Sequence, residues 1–446
     1  MELRYRLELA ETTEFIKKHN AHLVALQFPE GLFQIACEVS DTLERMSGAE
    51  CFILGDVAYG ACCVADEYAR SLGADVLIHY AHRGLVEERR LALPVHYVIC
   101  EFTETAFPHL PPMSGESPLA PLYRHLDAAL RAHFPPATSR LALLTTAQHS
   151  RMLKVGLSGA FDALPWGDRR VADGPGRVDE YAARALGDYR AVCFPANAPL
   201  PDGEILGCTA PTLDPAQWDA IVCVVDGRFH TEAAILANPS IPVYRYEPHV
   251  GALTRETIDR AALAATRCEQ MARARRARRV GLVASAMGKQ ASPAVMKHVE
   301  EHLRAAGREV SLLAVPEITP AALERALPDV EAWVEVGCPR LALDWGTDFP
   351  KPVLTPYEAL AAFGTEPLAP AAPAAQGDAS CPAGCGCGAV QPMDQWARGR
   401  PSGPWTHGPA AALHPAASGL PQQEASGSST AGQPGQGIEA ALVSLQ

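Results

Sequence analysis

The stretch CFILGDVAYGACCVADEYARSLGADVLIHY, residues 51–80, decides which fold we expect of this chain. An apolar run that predicts a buried strand (CFILGD) leads into a loop with two adjacent cysteines. A helical pattern (VADEYARSLG) and a second apolar run (VLIHY) follow. Strand–helix–strand alternation of this kind is typical of a parallel sheet covered by helices on both faces. The sequence therefore predicts an α/β fold.

The same alternation recurs twice more along the chain. A second unit begins near RLALLTT (140–146) and a third near RRVGLVASAMG (278–288), each with further apolar runs separated by helical patterns. The chain after 363 is rich in Ala, Pro, Gly, Ser and Gln, so it cannot bury enough apolar surface to fold, and we expect it to be disordered. The expected organisation is three similar β/α domains at 1–110, 139–250 and 251–362, a linker at 111–138 and a low-complexity tail at 363–446.

Composition and charge exclude several classes of function. The chain has 446 residues, 48% of them hydrophobic, and can bury more than one core. Its formal net charge is -13 and no basic stripe is present, so a nucleic-acid partner is not expected. No apolar run reaches the roughly 18 residues of a membrane span, and the charged start MELRYRLELAETTEF does not resemble a signal peptide. We expect a soluble cytoplasmic protein without membrane contact.

Three cysteines suggest a shared metal centre. Cys62, Cys208 and Cys338 are far apart in sequence, and each follows an apolar run that predicts a strand, which excludes a local zinc or redox motif. Function in open α/β sheets gathers beyond the carboxyl ends of strands, so three units facing one another would bring these thiols into one central cavity. A cubane iron–sulfur cluster has four irons, and three cysteines would leave one iron open. The prediction is a [4Fe-4S] cluster.

The remaining cysteines are interpreted as structural. Thirteen cysteines is an odd number, and a disulfide framework is not expected in a reducing compartment. Neighbouring side chains point in different directions, so only one of Cys62 and Cys63 is expected to reach the centre. The tail sequence CPAGCGC is interpreted as an incidental low-complexity tract, with soft-metal binding as the alternative. Its cysteines are Cys381, Cys385 and Cys387, and the other expected packing cysteines are Cys37, Cys51, Cys100, Cys193, Cys223 and Cys268.

Candidate substrate contacts lie near two of these motifs. Arg340 and Asp344 follow Cys338 four positions apart; the guanidinium could hold a carboxylate and the Asp an α-amino group, or the two could form an ordinary i,i+4 ion pair. Gln290 lies in a glycine turn, GLVASAMGKQASP (281–293), and is a further candidate contact. That turn matches neither phosphate-loop nor dinucleotide patterns. His230, at the end of the run IVCVVDGRFH, is expected to be a hydrogen-bonded histidine rather than a ligand.

These motifs together resemble the 3-amino-3-carboxypropyltransferase subunits of diphthamide biosynthesis, of the eukaryotic first-subunit type. The resemblance covers essentially residues 20–362 and a short tail element. The matching segments are ALQFPEG (25–31), GDVAYGACCVADEYARSLGADVLIHYAH (55–82), GEILGCTAP (203–211), DGRFHTEAAILANPSIPVYRYEP (226–248), GKQASP (288–293), CPRLALDWGTDFPKPVLTPYEAL (338–360), PMD (392–394) and GPWT (403–406).

The resemblance implies a specific chemistry. One [4Fe-4S] cluster would be held by Cys62, Cys208 and Cys338, with Cys62 preferred to Cys63 because archaeal relatives read YGACD. S-adenosylmethionine would bind at the open iron, with Arg340 and Asp344 as contacts for its methionine part. Reductive cleavage would give methylthioadenosine and a 3-amino-3-carboxypropyl radical, which adds to imidazole C2 of a histidine in translation elongation factor 2. The implied partners are a second, related subunit in a heterodimer and a small iron-binding electron-donor protein.

The chain also departs from this family's pattern. Where the family usually reads GHSCLIP, this chain has AHRGLVEER (81–89), without the cysteine and the proline. An alternative assignment is a noncatalytic subunit that scaffolds the same complex. Since all three cysteine positions are filled, the catalytic interpretation is favoured.

Overall fold

Three sheets organise the computed structural model. The structure describes residues 4–55, 60–86, 88–103, 106–107, 120–150, 153, 189–197, 200–285, 288–291 and 293–364. Within these residues the first and third sheets are entirely parallel, and the second is parallel except for one edge strand. The first four strands of each sheet follow the same order. The predicted α/β class, with three similar units, is confirmed.

The first unit contains a four-stranded parallel sheet in the order β2-β1-β3-β4. Alternate residues of its inner strands face opposite sides, so Leu26 packs in one hydrophobic cluster while Ala25 and Leu77 pack in another. Its elements are α1 (Leu9–Lys18), β1 (Leu23–Gln27), α2 (Phe33–Ser47), β2 (Glu50–Ile53), α3 (Asp66–Ser71), β3 (Val76–Tyr80) and β4 (Val95–Val98), with 3-10 turns at Glu30–Leu32 and Glu88–Arg90.

The second unit has the order β6-β5-β7-β8-β9, with β9 antiparallel to β8. Leu143 and Leu144 of its inner strand β5 pack into separate clusters on opposite faces. The elements are α4 (Ala120–His133), β5 (Arg140–Thr145), β6 (Ala191–Cys193), β7 (Ala220–Val224), α5 (Phe229–Ala237), β8 (Val243–Glu247) and β9 (Ala252–Glu256). Strand β9 lies just beyond the predicted boundary at 250.

The third unit repeats the order of the first as β11-β10-β12-β13. The side chain of Asp259 caps the helix before this sheet by accepting a hydrogen bond from the amide of Ala262. Thr355 and Glu358 form a capping box at the last helix of the unit. The elements are α6 (Arg260–Ala274), β10 (Arg279–Ser285), α7 (Pro293–Ala305), β11 (Glu309–Val315), α8 (Pro320–Ala326), β12 (Ala332–Val336), α9 (Pro339–Trp345), β13 (Val353–Leu354) and α10 (Pro356–Phe363), with a 3-10 turn at Gly346–Asp348.

One predicted strand is wrong. GEILGC forms only isolated bridges, from Glu204 to Thr145 and between Leu206 and Thr209. Gly203 has a φ of +75°, a left-handed conformation that interrupts an extended run. The expectations for 363–446, including the tail cysteines, lie outside the described residues from 365 onward. None of the helices in the described part of the chain combines the length and apolar character that a membrane crossing requires.

Candidate metal centre

Cys62 lies in the turn between β2 and α3. The amide of Cys63 donates to the carbonyl of Gly60 at 2.9 Å, which closes the turn. The buried Gln27 supports its far side, because its Nε2 donates to the Cys63 carbonyl at 3.1 Å and its Oε1 accepts from the Ala65 amide at 3.2 Å. Cys63 is buried and Cys62 is half-buried. The two adjacent thiols therefore face different surroundings.

Cys208 lies at the tip of a tight hairpin. Leu206 and Thr209 exchange backbone hydrogen bonds of 2.9 and 3.2 Å, which leaves Gly207 and Cys208 between them. A Cβ on Gly207 would lie 1.9 Å from the ring of Phe229, so a larger residue beside Cys208 would have to displace that ring or the hairpin. The hairpin thus packs closely on the first residue of α5 and holds Cys208 in a buried position.

Cys338 lies two residues after the end of β12 and is the residue immediately before α9. Pro339 occupies the first helical position, where its missing N–H is not needed, and the Leu341 amide donates to the Cys338 carbonyl at 2.9 Å. Cys62 and Cys208 each lie between the second and third strands of their units in chain order, whereas Cys338 follows the third strand. The three positions are therefore not equivalent in the repeat, although all belong to loops after strands.

The structure brings the three predicted cysteines together. Burial raises the pKa of the Cys62 thiol well above its ordinary value, and Cys208 and then Cys338 raise it further. Burial also raises the pKa of Cys338 to about 12, with Cys208 as the next contribution. The loops also meet directly, because Arg340 of the Cys338 helix donates to the carbonyl of Gly207 next to Cys208, and Lys289 of the third unit donates to the carbonyl of Cys62. Each of the three cysteines comes from a different unit.

Three cysteine thiols from separate units are a donor set of the type that iron–sulfur clusters take. No three His, Cys, Asp or Glu side chains among the described residues are arranged to hold one metal ion. Thiolates around one tetrahedral ion would lie about 4 Å apart, whereas a cubane spreads its cysteines over a four-iron body. Three convergent thiols suit soft-metal chemistry.

Arg340 joins the cysteine loops of the second and third units. Its side chain is buried and stacks over Phe229, with 4.3 Å between the guanidinium carbon and the ring centroid. One terminal nitrogen donates to the carbonyls of Gly207 and Phe229 at 3.1 and 2.9 Å, and the other donates to Glu232 at 2.7 Å. The guanidinium also donates to Asp344, at 2.8 Å. These protein groups occupy most of its donors, and its contact with a methionyl carboxylate stays a prediction.

Asp344 and Gln290 also have protein partners. Burial raises the pKa of the Asp344 carboxyl, although Arg340 opposes the shift. Nε2 of Gln290 lies 2.6 Å from Sγ of Cys62. Their predicted contacts with S-adenosylmethionine stay predictions.

Arg83, in the segment that differs from the family pattern, forms an ion pair that the sequence did not reveal. Arg83 donates to both carboxyl oxygens of Glu204, at 2.9 and 2.7 Å. Glu204 has 3% of its side chain exposed and lies on the chain that leads into the Cys208 hairpin. The arginine, where the family pattern has a small polar residue, was the only sequence feature that could have indicated this ion pair. Its partner lies 121 positions away.

Three histidines of the first and second units have uncharged rings. His79 lies between Oε1 of Gln27 and Nδ1 of His82, at 2.9 and 3.0 Å. Burial lowers the pKa of His82 to about 4. Burial, and then the charge of Arg340, lowers the pKa of His230 to about 4. These rings are neutral at pH 7.

A family model described as "Putative diphthamide synthesis protein" matches residues 28–369. The chain belongs to the diphthamide synthesis protein family. The human relative named 2-(3-amino-3-carboxypropyl)histidine synthase subunit 1 is 40% identical over 80% of this chain and 72% of that protein. The relative of the same name from Aspergillus fumigatus is 37% identical over 81% and 71%. The predicted family and the predicted enzyme class, a 2-(3-amino-3-carboxypropyl)histidine synthase, are confirmed.

A solved structure of this diphthamide synthesis family supports the fold. Dph2 from Pyrococcus horikoshii with a 4Fe-4S cluster superimposes with a TM-score of 0.59 at 24% identity, over 80% of this chain and 91% of that chain. At this identity the likeness concerns the α/β architecture. The cluster belongs to the archaeal protein.

Proposed function

We propose that this chain transfers the 3-amino-3-carboxypropyl group of S-adenosylmethionine to a histidine of translation elongation factor 2, the first step of diphthamide biosynthesis. A [4Fe-4S] cluster would be held by Cys62, Cys208 and Cys338. The observation that carries this proposal is the convergence of these thiols from three units in a member of the diphthamide synthesis family. Because elongation factor 2 is a translation factor, the reaction belongs in the cytoplasm.

The bound cluster would supply the electron that starts noncanonical radical cleavage of S-adenosylmethionine between its sulfur and γ-carbon. The net reaction forms a carbon–carbon bond at imidazole C2 and releases methylthioadenosine and one proton. The positive charge of the sulfonium leaves with that proton, so the charges balance without net oxidation.

The chain's own groups would hold and shield the reacting parts. Burial of Cys208 and the low exposure of Arg340 would limit water on the side of the centre formed by the second and third units, which would help to protect a reactive carbon radical. The neutral rings of His82 and His230 add polar surface without a second positive charge beside the sulfonium. Arg340 keeps the Cys208 hairpin and the Cys338 helix in fixed relation.

Spectroscopy of the anaerobically purified protein tests this proposal. We expect ultraviolet–visible and electron paramagnetic resonance spectra of a cubane cluster, and a change in the resonance signal when S-adenosylmethionine is added. Release of methylthioadenosine under reducing conditions would establish the bond that breaks. A chain that takes up no iron under reconstitution would instead be the noncatalytic scaffold subunit.

The partners in this proposal are a second, related subunit, elongation factor 2 and an iron-binding electron donor. The relatives' name, subunit 1, indicates a complex of several subunits. A lasting heterodimer would bury about 1,600 Å² in total. Size-exclusion chromatography and activity assays with and without the second subunit test this point. Full activity of the isolated chain would replace the heterodimer with a homodimer.

A further inference from the structure

A short stretch of the third unit, 288–291, lies against Cys62 of the first unit. The Lys289 amide donates to the carbonyl of Cys62 at 2.8 Å, and Nε2 of Gln290 lies 2.6 Å from its sulfur. We propose that Gln290 is a positioning residue that donates a hydrogen bond to the Cys62 sulfur in the cluster-bound protein, and that this bond sets the cluster's reduction potential. The inference rests on the cluster of the proposed function.

Two further contacts fix this stretch on the first unit. Nζ of Lys289 lies 2.7 Å from Oδ1 of Asp66, a fully buried carboxylate in the first turn of α3. The other oxygen of Asp66 accepts from the Ala92 amide at 2.5 Å. Arg90 donates to the carbonyl of Lys289 at 2.7 Å. A buried ion pair with these supporting bonds has one favourable geometry, so the backbone of 288–291 is held where Gln290 meets Cys62.

Gly288 directs the Gln290 side chain. A Cβ at position 288 would lie 2.2 Å from Oε1 of Gln290, so the amide group folds back over the glycine. The oxygen lies beside Gly288, and the nitrogen, which is the donor end of the amide, lies toward the sulfur. A glutamine suits this position because its amide donates without adding charge beside the ligand.

A hydrogen bond to a cluster sulfur changes how readily the cluster accepts an electron. Reduction adds negative charge that is partly carried by the sulfurs, and an N–H donor stabilises the reduced form more than the oxidised form. The bond from Gln290 therefore raises the reduction potential. Side chains that hydrogen-bond to metal ligands also tune the metal centre in other proteins.

A redox titration followed by electron paramagnetic resonance tests this role, with iron per chain measured in parallel. We expect Gln290→Leu to bind iron as the wild type does and to show a more negative potential. Gln148→Leu is the matched control, because Gln148 also donates between units, to the carbonyl of Ala81. Its potential should equal that of the wild type. Equal potentials in all three proteins would overturn the proposal.

Deuterium uptake in the iron-free chain separates this inference from the proposed function. Gln290→Leu and Lys289→Met should raise uptake in segments 60–64 and 288–291, whereas Gln148→Leu should leave both segments unchanged. Unchanged uptake in Gln290→Leu would show that the side chain does not hold the Cys62 turn, and would overturn the positioning role. If the wild-type chain binds no iron under reconstitution, yet Gln290→Leu shows the raised uptake, the proposed function is refuted and the contact stands.

Discussion

Cys62 and Cys63 are adjacent in sequence, but their surroundings differ at the level of single atoms. The Cys62 sulfur is influenced by the thiols of Cys208 and Cys338, while Cys63 is buried in the first unit beneath Gln27. Cys62 therefore lies in the same region as the other two cysteines, and its role as the ligand in preference to Cys63 stays a prediction.

Substitution of each cysteine by alanine tests this difference. Cys62→Ala should abolish cluster binding, measured as iron per chain and as absorbance of the reconstituted protein. Cys63→Ala should keep the cluster and cost about 1 kcal/mol in the free energy of unfolding, which is typical for loss of a small buried side chain. The opposite pattern would move the ligand to Cys63, and iron retained in both variants would mean that either cysteine serves.

Glu335 is a fully buried carboxyl on β12, three positions before Cys338. Burial raises its pKa well above the ordinary value, and the Glu358 carboxylate adds to the shift, while Arg267 opposes it. The folded protein therefore binds a proton at Glu335 that the unfolded chain releases above about pH 4.3. Above that pH the group contributes less stability as the pH rises.

Glu335→Gln should remove this dependence, because the amide keeps the shape of the neutral acid and does not titrate. We expect the variant to gain stability relative to the wild type as the pH is raised from 5 to 8, measured by urea unfolding at each pH. The difference should be smallest at pH 5. A wild type and variant whose stabilities stay parallel over this range would show that Glu335 is ionised in the folded protein.

At the scale of elements, the Cys208 hairpin depends on its contact with α5. Gly207 leaves no room for a side chain beside the Phe229 ring, so Gly207→Ala should displace the hairpin. We expect a loss of about 1–3 kcal/mol in the free energy of unfolding, as in other overpacked sites, together with less iron per chain. Gly31→Ala is the control, since a Cβ there meets nothing within 4 Å. Normal iron binding in Gly207→Ala would show that the hairpin tolerates displacement.

Local patterns predicted most of the elements. The apolar run VLIHY became β3, and proline after Cys338 began α9, because propensity and capping act within a few residues. GEILGC was misjudged as a strand because apolar character alone cannot distinguish an extended run from a hairpin that packs inward. The left-handed φ of Gly203 and the contact of Gly207 with Phe229 depend on tertiary structure.

At the scale of the whole molecule, each pair of units is joined by a charged side chain close to a cysteine. Arg83 and Glu204 join the first unit to the second, Arg340 joins the second to the third, and Lys289 joins the third to the first. The family resemblance predicted that the cysteines converge. It did not predict these ties, since each partner lies more than a hundred positions away and pairing at that distance leaves no local pattern.

The Arg83–Glu204 pair tests whether such a tie matters for the centre. Breaking a fully buried ion pair costs about 3–5 kcal/mol in the free energy of unfolding. Glu204→Gln should cost less than this, because Arg83 is partly exposed. It should also speed iron loss to a chelator. The swap of Arg83→Glu with Glu204→Arg should restore part of both properties. Arg140→Gln, at the exposed bidentate pair with Asp219, is the control and should not change iron loss. Equal rates of iron loss in Glu204→Gln and Arg140→Gln would show that the Arg83–Glu204 pair does not support the metal centre.

The arrangement of one cysteine per unit also has a consequence during protein synthesis. A ribosome adds about 5–20 residues each second, and early domains fold before later ones are made. The first two units can fold while Cys338 is still untranslated, so a nascent chain carries thiols without a complete binding site. If these cysteines hold the proposed cluster, iron delivery would have to follow completion of the third unit, and until then Cys62 and Cys208 would be thiols open to oxidation.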